Sequence, residues 1–352
     1  MTLAETLQSL SARLPTSPYL TAALAVLLVA LAMPLFGRSK RFDPVNKHCY
    51  IGGGSEGLGF ALACQLAKRG AHVTIVSRSQ AKLDKALEEI ETHRQSPSQT
   101  LQAFSCDLTD PAASASTIQR ACAPFASSPS SAAPPPDYIF ACAGGSYPGF
   151  FADFTAQQHW ECMEWNFRSC LNTIHEGVQM IRDQGKTGTT IVLTSSVLGM
   201  FSFVGYSTYS PSKYAIRGLA EALRNELIMY GTSVHLFCPA TIFSPSYLGV
   251  ESQMKPEITK KIEEGDDGMT PEQVASELIK GLWRKDFVIT YEFVGHALRT
   301  SRGSTPWGNP LSDMFWGLIG TVALPLWRRF GPDAAVKKEA LKLRQEKAAK
   351  KD

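Results

Sequence analysis

Residues 48–59 read HCYIGGGSEGLG, a short apolar run that passes through a cluster of glycines into a helical pattern. The run 48–52 lacks the alternation of a half-exposed strand and suits a strand covered on both faces. Gly53, Gly57 and Gly59 let the backbone turn sharply and bring an anion close to the first helical turn. Unpaired N–H groups and the helix dipole attract negative charge there. A glycine cluster by itself says little; between a strand and a helix at the head of an α/β unit it points to a bound pyrophosphate.

The same alternation continues toward residue 291. Apolar runs at 48–52, 71–77, 101–106, 138–142, 190–195, 233–239 and 287–291 predict strands, and 58–69, 80–93, 209–230 and 271–284 predict helices between them. Strands apolar on both faces and separated by helices mean a parallel sheet covered on each side, joined by right-handed crossovers. The expected fold is therefore α/β, a Rossmann-like doubly wound parallel sheet of about seven strands with helices on both faces.

A second stretch carries the chemistry. Tyr209-Ser-Pro-Ser-Lys213 opens the predicted helix at 209–230, with Ser196 thirteen positions upstream at the end of a strand. A tyrosine and a lysine four apart share a helix face. The ammonium is expected to favour the phenolate and draw its pKa down from about 10. Such a phenol can give a proton to, or take one from, a substrate oxygen that a serine hydroxyl also holds. Tyr206 and Tyr214 have no lysine four residues on and read as packing groups. At the end of the second strand, Ser77-Arg78-Ser79-Gln80-Ala81-Lys82 contains two bases and no acid. A ribose hydroxyl calls for a carboxylate there; Arg78, with Lys82, suits a 2′-phosphate. NADPH is expected over NADH.

Taken in order, Gly53…Gly57-x-Gly59, Asp107-Leu108, Ala141-Cys142-Ala143-Gly144, Asn166, Ser196, Tyr209 and Lys213 resemble the short-chain dehydrogenase/reductase family across residues 47–291. The resemblance implies cofactor contacts at Gly53, Ser55, Gly57, Leu58, Gly59, Arg78, Lys82, Asp107, Leu108, Ala143, Gly144, Tyr209 and Lys213. It also implies a catalytic tetrad of Asn166, Ser196, Tyr209 and Lys213, with NADP(H) as cofactor, and a homo-oligomer built on long helices at 156–182 and 209–230. Two positions depart from the family pattern: Gly52 replaces the usual threonine before the turn, and Pro239-Ala240 replaces Pro-Gly after the sixth strand. Residues 243–265 (FSPSYLGVESQMKPEITKKIEEG) are most similar to members that reduce a long-chain keto-amine lipid on the cytosolic side of the endoplasmic reticulum membrane. A membrane-bound relative acting on retinal, a steroid or a fatty acyl ketone would need the same tetrad, whereas a silent cofactor-binding scaffold would not.

The remaining chain bounds these readings. A formal charge of +3 over 352 residues argues against nucleic acid as a partner. Eight cysteines stand without Cys-x-x-Cys spacing, which favours buried thiols over a metal site. Residues 19–36 (YLTAALAVLLVALAMPLF) carry no charge and as a helix would reach about 27 Å. A cleaved signal peptide and a buried core helix are the alternatives. A retained membrane anchor is preferred, because Arg38, Lys40 and Arg41 follow it and place the next segment on the cytosolic side. Residues 314–327 are apolar but too short to span and read as membrane-associated or packed in the domain. The chain thus divides into an anchor region 1–46, a reductase domain 47–295 and a basic, membrane-associated segment 296–352. The irregular stretch 240–268 reads as a lid over the crevice, and the Ser/Ala/Pro-rich 126–137 as a surface loop.

Overall fold

The structure is a computed structural model that describes residues 42–128, 130–264, 268–300 and 310–349. Seven parallel strands form one sheet in the order β3-β2-β1-β4-β5-β6-β7. They are β1 (His48–Gly52), β2 (His72–Ser77), β3 (Leu101–Ser105), β4 (Tyr138–Ala141), β5 (Thr190–Thr194), β6 (Ser233–Phe237) and β7 (Val288–Ile289). Each lies within two residues of its expected position. The last is the shortest because only Leu236 and Phe237 of β6 find partners in it.

The sheet is buried on both faces, with successive residues feeding opposite cores. Cys49 and Ile51 face a cluster built with Leu62 and Leu66 of α1 (Gly57–Ala67) and Leu278 and Ile279 of the helix Pro271–Arg284. Tyr50 faces the other cluster, with Ile118, Ile174, Ile216 and Ala220. Those residues come from α3 (Pro111–Cys122), α5 (Ser169–Gln184) and α6 (Tyr209–Glu226). Helix starts follow local chemistry. Ser79 caps α2 (Gln80–Thr92) and Asp110 caps α3, while Thr155 and Gln158 form a capping box on α4 (Ala156–Met163).

The helix expected across 156–182 is broken. Between α4 and α5, Glu164–Arg168 widens into a π-turn that carries Asn166, a feature that concentrates at functional sites. The segment expected to be an irregular lid is largely helical, with a π-turn at Tyr247–Glu251, a turn at Ser252–Met254 and α7 (Glu257–Ile262). After α8 (Pro271–Arg284) come β7, α9 (Phe293–Thr300), α10 (Pro310–Phe330) and α11 (Pro332–Ala349).

The anchor expected at 19–36 lies outside the described residues. Among the described residues no helix is long and apolar enough to cross a membrane. Residues 314–327 fall inside α10, which exposes Leu318, Leu324, Trp327 and Phe330. The tail helix is docked rather than free. Asp333 at the start of α11 is buried and accepts hydrogen bonds from Arg224 at 3.1 Å and Asn225 at 2.8 Å, both on α6. The loop 126–137 is also tied down: Lys186 donates to the Pro135 carbonyl at 2.7 Å and pairs with Asp137 at 3.0 Å.

Strand order reverses between β1 and β4, so their carboxyl ends open a crevice at the topological switch point. The docking of α11 yields a direct test. Asp333→Ala removes the acceptor for both α6 groups, and trypsin is expected to cut at Lys337 and Lys338 several-fold faster. The rate of cleavage within the sheet core should not change.

Candidate active site

The crevice floor is a contact between two backbones. Gly53 adopts φ +83°, and a Cβ there would stand 2.5 Å from the amide nitrogen of Ala143. The turn after β1 therefore packs directly on the turn after β4, which only glycine permits. A Cβ on Gly59 would overlap the Gly53 carbonyl, so the first turn of α1 folds back on the loop just as closely. The Gly53 and Gly54 amides donate to the Val76 carbonyl at 2.8 and 3.2 Å, joining this turn to the end of β2. Glu56, at the N-cap of α1, makes no side-chain cap. The amino end of α1 thus keeps amide groups for an anion. This cradle fits the pyrophosphate of a dinucleotide.

The other sequence-predicted cofactor residues surround it. The Ser55 hydroxyl donates to that of Ser77 at 2.8 Å, while Leu58 is buried in the core and contributes only packing and its backbone. Gly57 lies beside the segment after β6, since a Cβ on it would come 3.4 Å from the Ser244 Cβ. Arg78 is exposed at the tip of β2 and its carbonyl accepts from Ser105 at 2.9 Å. Lys82 is already paired with Glu56 at 2.7 Å, leaving Arg78 as the base better placed for a ribose phosphate. Asp107 accepts from the Thr109 amide and hydroxyl at 2.9 and 2.8 Å, and the Thr109 amide holds its carboxyl below the usual range. Leu108 is buried beneath Gly52. A side chain at Gly52 would meet Thr173 at 2.8 Å and Leu108 at 3.2 Å, which accounts for the missing threonine at that position.

Above Ala143 and Gly144 the four proposed catalytic side chains converge. Ser196, two residues after the end of β5, accepts from the Leu198 amide at 3.1 Å and donates to the Pro239 carbonyl at 3.4 Å, and its hydroxyl lowers the pKa of the Tyr209 phenol. Tyr209 is the first residue of α6, whose start is tied to the loop after β4 by a 2.6 Å bond from Thr208 to the Tyr147 carbonyl. Lys213, one turn later, is buried. Its Nζ donates to the Thr194 carbonyl at 3.2 Å and lies 5.3 Å from the Tyr209 ring centre. Asn166, wholly buried, donates to the Gly145 and Cys162 carbonyls at 2.9 Å and accepts from the Gly145 amide at 3.2 Å. A Cβ on Gly144 would overlap Asn166 Oδ1 and come 3.4 Å from Lys213 Nζ, so the two side chains meet across this glycine. The Pro239 carbonyl accepts from the Val197 amide at 3.0 Å, so the chain after β6 stays pinned to the end of β5 although Ala240 replaces glycine.

The electrostatics correct one expectation. Burial, and then the charge of Glu251, push the Tyr209 phenol above its usual pKa, with the Ser196 hydrogen bond as the opposing influence. The phenol is therefore held protonated rather than drawn toward the phenolate, because desolvation is the largest influence on it. Burial likewise lowers Lys213, which is ringed by the thiols of Cys142, Cys162, Cys170 and Cys238. A protonated phenol can deliver a proton to an oxygen that accepts an electron pair.

Tyr206, read from sequence as a packing residue, anchors the lid. Its hydroxyl donates to Glu263 at 2.5 Å, and Lys255 bonds Glu263 at 2.5 Å and the Tyr247 hydroxyl at 3.0 Å. Thr259, fully buried, donates to the Val204 carbonyl at 3.1 Å and fills the space beside Gly205. Met200 belongs to the core, whereas Phe150, Phe151, Leu248, Val250 and Met254 stay exposed. Sequence reasoning passed over Glu251. An isolated glutamate in an irregular stretch carries no spacing signal, and only the lid's fold brings its charge to Tyr209.

A family model described as short chain dehydrogenase matches residues 47–254. The chain is 40% identical over 333 residues to a protein named 3-ketodihydrosphingosine reductase from Cryptococcus neoformans var. neoformans serotype D. That match covers 94% of this chain and 96% of the relative. A Bos taurus protein of the same name is 29% identical over 304 residues, covering 86% of this chain and 87% of the relative. Among solved structures, a Burkholderia phymatum short-chain dehydrogenase/reductase in complex with NAD aligns at TM-score 0.62 and 17% identity, over 78% of this chain and 96% of that one. Levodione reductase aligns at TM-score 0.61 and 20% identity, over 72% and 98%. At such identities these two likenesses concern the fold.

The lid network predicts a local effect. Lys255→Met leaves the Glu263 carboxylate without its buried cation, and breaking such a pair costs about 3 kcal/mol or more. Amide exchange in residues 247–262, followed by mass spectrometry, should accelerate about 100-fold, with the strands of the sheet unaffected.

Proposed function

Because the chain belongs to the short-chain dehydrogenase family, we propose that it reduces 3-ketodihydrosphingosine to dihydrosphingosine in sphingolipid synthesis, using NADPH. The observation that carries this reading is Tyr209 with the Lys213 ammonium against its ring, and Asn166 meeting Lys213 across Gly144, beside a dinucleotide cradle. The near full-length identity to named 3-ketodihydrosphingosine reductases supplies the substrate.

When bound, the nicotinamide cofactor supplies the hydride that reduces the carbonyl carbon. The chain's own groups manage the oxygen. The Ser196 hydroxyl donates a hydrogen bond to it, and Tyr209 transfers its proton as negative charge develops there. The Lys213 ammonium, close to the phenol ring, stabilises the phenolate left behind, which is the moment at which its charge matters most. Asn166 holds the Gly144–Gly145 turn against Lys213, fixing the ammonium's position. Since burial and Glu251 keep the phenol protonated, reduction should not decline between about pH 6 and pH 8 through loss of the Tyr209 proton.

Arg78 supports NADPH over NADH, as an exposed guanidinium where NAD enzymes place a carboxylate. Exposed Phe150, Phe151, Leu248, Val250 and Met254 support an apolar entry for the alkyl chain. The apolar stretch at 19–36, the exposed apolar residues of α10 and the basic tail support attachment to the cytosolic face of the endoplasmic reticulum membrane. A homo-oligomer through residues 156–182 and 209–230 is part of the same proposal.

Incubating the purified chain with NADPH and 3-ketodihydrosphingosine should consume nicotinamide absorbance and yield dihydrosphingosine in equal amounts; no turnover would refute the assignment. Tyr209→Phe is expected to cut turnover by about 10²- to 10⁴-fold while NADPH binding persists. Arg78→Ala should narrow the NADPH preference, and an unchanged ratio of efficiencies would remove Arg78 from the site. Each methylene deleted from the substrate tail should raise KM by up to about fourfold, the equivalent of roughly 0.8 kcal/mol.

A further inference from the structure

We infer that Tyr206 is a positioning residue that ties the docking of the lid to the placement of the Tyr209 phenol, because it holds both at once. The catalytic consequence rests on the reaction proposed above. Three contacts meet at this one residue. Its carbonyl accepts from the amides of Tyr209 at 3.1 Å and Ser210 at 2.9 Å, which sets the first turn of α6. Its ring lies 6.2 Å from the Tyr209 ring, centre to centre. Its hydroxyl donates to Glu263 of the lid at 2.5 Å.

The lid leaves and rejoins the body through a paired neck. There the Phe243 amide donates to the Met269 carbonyl at 2.9 Å, and the Met269 amide donates to the Thr241 carbonyl at 3.0 Å. Beyond the neck, the lid rests on the strip just before α6. Thr259 donates to the Val204 carbonyl at 3.1 Å and fills the space that a side chain on Gly205 would need. The Gly205 carbonyl accepts from the Gly149 amide at 2.9 Å, so the same strip is fixed to the loop after β4. Phe203 meets the Tyr206 ring edge-on at 5.4 Å. Residues 203–206 therefore form a strut between the lid and the start of α6.

Glu263 divides its two oxygens between the strut and the lid. One accepts from Tyr206, and the other accepts from Lys255, which also bonds the Tyr247 hydroxyl. Burial, and then the Glu263 hydrogen bond, raise the pKa of the Tyr206 phenol, so it remains the donor. A phenylalanine would fill the same space; the buried hydroxyl adds a directed bond that fixes the tilt of the ring. The Tyr209 ring packs on that fixed ring, and its amide hangs from the same residue. Proton transfer is sensitive to ångström-scale placement, so a loosened strut should slow the chemistry without reaching the cofactor cradle.

Amide exchange followed by mass spectrometry reads this coupling without turnover, using the full chain in detergent micelles with NADPH. Glu263→Ala should speed exchange of the Tyr209 and Ser210 amides about 10-fold, the net worth of one hydrogen bond, although Glu263 bonds Tyr206 rather than either amide. Tyr206→Phe should do the same. It should also lower kcat for 3-ketodihydrosphingosine by about 10- to 100-fold per titrated NADPH site, with KM for NADPH unchanged. Glu263→Gln keeps an oxygen for the phenol and should recover part of the loss seen in Glu263→Ala. Combining Tyr206→Phe with Glu263→Ala should cost no more than Glu263→Ala alone, since the two side chains act as one link. A lid that loosens while the Tyr209 and Ser210 amides and kcat keep their wild-type values overturns the role of Tyr206. A loss confined to KM, or losses that multiply in the double variant, overturn it too. Wild type that binds NADPH but reduces no 3-ketodihydrosphingosine overturns the proposed reaction instead, and the exchange rates still decide whether lid and phenol are linked.

Discussion

A buried ammonium organises this crevice. Lys213 sits at the carboxyl edge of the sheet, out of contact with water, and removing a cation from water costs several kcal/mol. The cost is offset locally by the Thr194 carbonyl and by the face of the Tyr209 ring. Four thiols complete the surroundings, and burial raises their pKa values, Cys142 to about 11 and Cys170 and Cys238 to about 12, so they remain neutral. Each partner comes from a different part of the fold. The carbonyl needs the end of β5, the ring needs the first turn of α6, and the thiols lie at the ends of β4 and β6 or near the π-turn.

The glycine contacts explain how so many segments reach one point. Without side chains at Gly53 and Gly59, the cofactor cradle and the turn after β4 approach to backbone contact. The same economy of space at Gly144 lets Asn166 and Lys213 meet. The π-turn at Glu164–Arg168 supplies the extra residue's worth of rotation that presents Asn166 to this turn. Close packing and catalytic geometry are thus one constraint, since any side chain added at these glycines would displace a functional group.

The lid is built onto a scaffold that many reductases share. Its own stability comes from the Lys255–Glu263–Tyr206–Tyr247 network and from buried Thr259. Glu251, bonded to Ser246 within the lid, adds a negative charge that raises the pKa of the phenol. The charge of Glu251 in the lid adds to burial in favouring the protonated form of Tyr209.

Much of this was legible in the chain. Strands buried on both faces advertise themselves as uninterrupted apolar runs, and glycine between strand and helix announces a phosphate turn, because both signals are local. Tyr209 and Lys213 could be paired from spacing alone, since four residues make one helical turn. Sequence could not say that burial would hold the phenol protonated, that Lys82 would spend its charge on Glu56, or that Tyr206 would bind Glu263. Nor could it foresee the docking of Asp333 on Arg224 or the influence of Glu251 on the Tyr209 phenol. Each of these depends on the distance between residues far apart in the chain and on how much water the fold leaves between them, and only the packed structure determines either.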